Sequence, residues 1–120
     1  MKTYKLDLSD YEVVSEVVEI KDGEPVKNLK VEAVSVKKEL SELLRLPGIY
    51  SDGMELFDGA MLSRQIKECE GDELEINEDE LNLLKKVMNK LIGREHAPEK
   101  GKIALGGPRY ETMIVRVFGL

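Results

Sequence analysis

The chain has 120 residues, 42% of them hydrophobic and 35% charged, with a net charge of −6. That is the size and balance of one globular domain (residues 1–120) rather than of a disordered tract. No apolar run exceeds three residues, far too few to span a bilayer. The start, Met1-Lys2-Thr3-Tyr4-Lys5-Leu6-Asp7, lacks the apolar stretch of a secretory signal. The single Cys69 cannot close an internal disulfide, so a reducing, cytoplasmic setting is expected.

Charge is divided along the chain. Residues 1–80 carry 10 Lys and Arg against 21 Asp and Glu, a net of −11, whereas residues 81–120 carry 8 against 3, a net of +5. Eight carboxylates and no basic residue fall within 68–80. Such runs usually serve as solvated surface, and the sharper reading is a two-faced particle that stacks on copies of itself. An acidic chain without Trp is a poor candidate for direct nucleic-acid binding.

In chain order, Tyr4, Leu6 and Leu8 alternate as one face of a strand. Ser9-Asp10 marks a turn. Tyr11 to Ile20 is rich in β-branched residues, and its spacing slips phase at Ser15-Glu16, as a bulge would. Asp22-Gly23 suits a tight hairpin turn, and Val26 to Val36 alternates again at Leu29, Val31 and Ala33. Three strands over residues 2–36 predict an antiparallel β-meander.

The period then changes. Ser35 is placed to cap a helix near 36–45 with Val36, Leu40, Leu43 and Leu44 on its apolar face, ended by Leu46-Pro47-Gly48. A second helix, near 54–69, starts at Asp52-Gly53 with Leu56, Phe57, Ala60, Met61 and Ile66 predicted inward. Gly59 within it suggests a close helix crossing. The clearest element is a third helix near 78–92. Asn77 and Glu80 form a capping-box pattern, acidic residues fill the first turn, Leu81, Leu84, Met88 and Leu91 share a face, and Gly93 offers a left-handed stop. For residues 109–120 the pattern admits either a strand with Met113, Val115 and Val117 or a helix with Met113, Ile114, Val117 and Phe118 inward. The sum is an α+β fold: a meander packed on three helices, with a C-terminal segment helical or extended. Its core is predicted from Leu6, Val13, Val17, Leu29, Val31, Leu40, Leu43, Leu44, Leu56, Phe57, Met61, Ile66, Leu81, Leu84, Met88 and Leu91.

Chemistry-bearing residues are few. One His and one Cys, His96 and Cys69, stand 27 positions apart, and neither supplies the nucleophile, base and orienter of covalent catalysis. They are also too few for a zinc site, and the acidic stretch lacks the spacing of a calcium loop. Gly106-Gly107-Pro108 matches neither the Walker nor the dinucleotide fingerprint. No catalytic, cofactor-binding or metal residue is therefore assigned, no cofactor is expected, and an enzyme is not the favoured reading. Leu40-Ser41-Glu42-Leu43-Leu44 has the form of a leucine docking motif, but core packing explains it better.

The acidic cap leading into the Leu81 helix, with Leu74, Ile76, Glu78, Asp79, Leu81, Leu84 and Lys85, resembles small bacteriophage and prophage proteins over residues 36–92. Asn77 stands where those have a hydroxyl residue. The resemblance implies a virion, assembly or accessory component, virion-associated if structural. The expectation is a non-enzymatic interaction or assembly protein whose partner is protein, a homo-oligomer, with no membrane and no direct nucleic-acid contact. The alternatives are an acidic decoy for a nucleic-acid-binding protein and a small-molecule-binding domain.

Overall fold

The computed structural model describes residues 2–92 and 108–120. Its elements are β1 (Thr3–Asp7), β2 (Tyr11–Lys21), β3 (Glu24–Val34), α1 (Val36–Leu43), α2 (Gly53–Glu68), β4 (Glu73–Asn77), α3 (Glu78–Leu91) and α4 (Pro108–Phe118). The α+β class, the N-terminal antiparallel strands and the helices that follow agree with the sequence reading. Of the two forms open to the C-terminal segment, the helical one is adopted. Gly93, His96 and the Pro98–Gly107 stretch lie outside the described residues.

Hydrogen bonding divides the strands into two pairs. β1 pairs antiparallel with β4, Leu6 facing Leu74 and Tyr4 facing Ile76. Leu6, Leu8 and Ile76 are buried, and this small sheet packs on α3 and α4. The core lies among that sheet and the four helices and holds Val36, Leu40, Leu43, Leu44, Ile49, Leu62, Ile66, Leu81, Leu84, Val87, Met88, Leu91, Met113 and Val117.

The third helix starts as its sequence predicts. Asn77 Oδ1 accepts from the Glu80 N–H at 2.8 Å, and Glu80 Oε1 accepts from the Asn77 N–H at 3.0 Å, so two donors that a helix start leaves unpaired are satisfied. Ser35 does occupy the N-cap position of α1, but its side chain makes no capping bond.

The inward face of α2 differs from the one expected. Gly59, Leu62, Ser63 and Ile66 are buried, while Leu56, Phe57 and Met61 are 54%, 58% and 41% exposed. Apolar residues stand on every side of this helix, so periodicity does not select a face. Small residues do: Ser63 Oγ donates to the Ser41 carbonyl at 2.8 Å and accepts from Arg45 Nε at 3.0 Å, drawing α2 against α1. Gly59 faces the Tyr50 ring rather than another helix, and a Cβ there would lie 1.9 Å from the phenol oxygen.

Candidate functional site

The second strand pair is a hairpin of two 11-residue strands in unbroken register, from Tyr11 opposite Val34 to Lys21 opposite Glu24. No bulge interrupts it at Ser15-Glu16. The phase slip in the sequence arises because the doublets Val13-Val14 and Val17-Val18 put valine on both faces. Asp22 and Gly23 close the hairpin with φ of 53° and 79°, the positive dihedrals a two-residue turn with matching twist requires.

Neither strand packs closely on a helix along its length. The hairpin therefore projects as an arm, and the molecule measures 60 × 32 × 23 Å. The core expected around Val13, Val17, Leu29 and Val31 does not form: Val13 and Val17 are half-buried, and Leu29 and Val31 are 71% and 56% exposed. The alternation is real, but it marks a strand face with no element of the described chain laid over it.

The register sorts the side chains. One face carries Tyr11, Val13, Ser15, Val17 and Glu19 opposite Val34, Glu32, Lys30, Asn28 and Val26. The other carries Glu12, Val14, Glu16, Val18 and Ile20 opposite Ala33, Val31, Leu29, Lys27 and Pro25. All ten residues of this second face are exposed, from base to tip. Seven of them are apolar, a concentration that folded chains seldom present to water unless something docks there.

The base of the arm is fastened by α4. Arg109 pairs with Glu39 at 2.8 Å and with Glu32 on β3. The Tyr11 hydroxyl donates to the Arg109 carbonyl, and burial raises the pKa of that phenol. Arg116 Nη1 donates to the Ser9 carbonyl at 2.6 Å, and its guanidinium lies 5.4 Å from the centre of the Tyr11 ring, a cation–π contact. Its Nε stands 3.5 Å from Asp7 Oδ2. Hydrogen bonds from Ser9, with Arg116 adding to them, lower the Asp7 pKa. The arm is thus fastened at its base, and among the described residues no side-chain ion pair holds its tip.

Other candidates fall to structural duties. Leu40, Leu43 and Leu44 of the leucine string are buried, so it packs the core as expected. The Cys69 thiol lies 3.3 Å from the Gly71 carbonyl and 3.6 Å from that of Glu73, within the turn that enters β4. In the acidic stretch Glu80 completes the capping box, Glu78 and Asp79 stand on the first turn of α3, and Glu73 lies 3.8 Å from Lys5. An open groove of about 650 Å³ between α2 and α3 has Met54, Met61, Leu62 and Leu83 on its floor. Of its carboxylates, Asp52 caps α2, while Glu55 binds Lys86 at 2.7 Å and lies 3.8 Å from Lys90.

No sequence-predicted site residue exists to be placed. The arm face was missed as a surface because alternation reports a half-apolar strand and not what covers it. Its signal was the doubled valines, which leave apolar side chains on both faces of one strand. Compared with protein-family models, with curated proteins and with solved structures, the chain matches none.

Proposed function

We propose that this chain is a non-enzymatic interaction or assembly protein that associates with copies of itself, and that the projecting hairpin is its contact surface. The observation that carries this reading is the exposure of Val14, Val18, Ile20, Leu29 and Val31 on one face of the arm, each more than half open to solvent. A two-stranded hairpin standing alone is marginal in water, and a partner laid on that face stabilises it while removing apolar surface. On the same reading the chain is a structural or accessory component of bacteriophage or prophage type, cytoplasmic or carried in the virion, a proposal supported by the resemblance of residues 36–92 alone.

Light scattering behind a sizing column tests the reading. The expected mass exceeds the 13.6 kDa of one chain and returns to it in Ile20→Asp/Leu29→Asp, whose altered side chains touch no core residue. A wild-type mass of one chain at every concentration and salt overturns self-association.

A further inference from the structure

We infer that the occupant of the exposed arm face is the same face of a second copy, laid across it in antiparallel fashion. This rests on the self-association proposed above and adds its geometry. The charges on the face are graded: Glu12 and Glu16 lie toward the base and Lys27 toward the tip. Among the described residues neither Glu16 nor Lys27 takes part in an ion pair.

Two overlays satisfy two-fold symmetry. With the arms parallel, each rung meets its own copy, so Glu16 approaches Glu16 and Lys27 approaches Lys27, which is repulsive twice over. With the arms antiparallel and the axis passing near Val17 and Asn28, the Glu16–Leu29 rung lies over the Val18–Lys27 rung of the other copy. Val14 and Val31 then lie over Ile20 and Pro25. Each Glu16 lies over Val18 of the other copy with Lys27 beside it, one strand spacing across the rung and within reach of its long side chain. Leu29 and Val18 fill the centre, and the two bodies sit at opposite ends. Like charges brought together at an interface are strongly disfavoured, so the sign pattern selects the antiparallel arrangement.

Size permits it. Each strand of 11 residues runs about 37 Å, and two strands span roughly 10 Å. Overlaid faces of about 370 Å² each therefore bury roughly 700 Å² in total, the size of a weak, concentration-dependent contact. The arm face is exposed as far as Glu12 and Ala33 at its base, so the whole length of the face is open for the overlay.

Charge exchange between copies is the test. Glu16→Lys and Lys27→Glu are made separately, and their masses are measured alone and as an equimolar mixture. Each variant alone is expected to associate on the order of tenfold more weakly than wild type, because like charges meet twice per dimer. The mixture is expected to recover wild-type association, since each Glu16 or its replacement then meets an opposite charge on the other chain. Recovery only on mixing separates a contact between chains from an effect within one arm, and circular dichroism checks that both variants stay folded. If wild type associates but the single variants are unaffected, or the mixture fails to recover, the antiparallel overlay is overturned while self-association stands. If wild type is one chain throughout, both fall.

Discussion

At the scale of single residues, Gly59 shows how a small side chain is required for a reason its own helix does not reveal. Glycine inside a helix is about 1 kcal/mol worse than alanine, so Gly59→Ala would stabilise α2 if nothing faced it. Tyr50 does. Its hydroxyl donates to the Leu44 carbonyl at 2.6 Å, and an added Cβ would fall 2.3 Å from the ring carbon that bears it. Crowding of that kind costs about 1–3 kcal/mol, and a displaced Tyr50 also loses a hydrogen bond of about 1 kcal/mol. Gly59→Ala is therefore expected to lower the urea-unfolding free energy by about 1–2 kcal/mol. In a Tyr50→Ala background the same change is expected to be neutral or stabilising, which a double-mutant cycle reads directly. Burial, aided by the nearby Glu55 charge, pushes the Tyr50 phenol up to about 12. Its neutral form thus favours the fold below the ordinary tyrosine range, and that contribution is lost as the pH rises through about 12.

Among elements, the informative pair is α2 against α3, joined by Glu55. The Lys86 ammonium, with the Ser51 N–H and Lys90 behind it, holds the Glu55 carboxyl below its ordinary pKa. A carboxylate whose pKa is lower in the folded state binds fewer protons there than when unfolded. Its contribution is therefore complete above the ordinary glutamate pKa and fades as the pH falls through the lowered folded value. Acid titrations of stability followed by circular dichroism are expected to fall less steeply below pH ~4.5 in Glu55→Gln than in wild type. A parallel decline in the two proteins would refute the link. The elements themselves were legible where local chemistry decides them: Asn77 and Glu80 announce α3, Asp52 announces α2, and Asp22-Gly23 announces the hairpin. What periodicity could not supply was the partner of each face. β1 reads like the neighbour of β2 because the two are consecutive, yet Leu74 and Ile76, about seventy positions later, pair with its edge. In α2, with apolar residues all round, packing against Ser41 and Tyr50 chose Gly59 and Ser63 over Leu56 and Phe57. The arm was legible as strands and as a turn, but whether a strand face is covered is a property of the whole chain.

Across the molecule, the arm dominates the shape. A compact chain of this length has a radius of gyration of about 14 Å, whereas this one reaches 16.7 Å. Removing residues 15–30 and rejoining the strands through an Asp-Gly turn leaves the Tyr11, Arg109 and Arg116 clasp in place. Small-angle scattering of that variant, held at a concentration where it is one chain, is expected to give a radius near the compact value with the helical content retained. Loss of helix signal would mean instead that the arm supports the body. The division of charge bears on association at this scale: if opposed faces drive it, the oligomer weakens as salt rises, because the screening length shrinks to about 8 Å at physiological ionic strength.

The clasp at the arm's base has a consequence for how such a chain can change over time. Because Tyr11, Arg109 and Arg116 fasten the arm at its base while Val18, Ile20 and Leu29 stand exposed away from the core, the residues that hold the arm and those that would make the proposed contact are different ones. On that proposal, a change at the outer rungs is expected to alter which surface the arm fits while the helical body keeps its stability. If the arm is the contact surface proposed above, its specificity can be redesigned by grafting a new sequence between Val14 and Val31, which leaves Tyr11, Glu32, Arg109 and Arg116 in place.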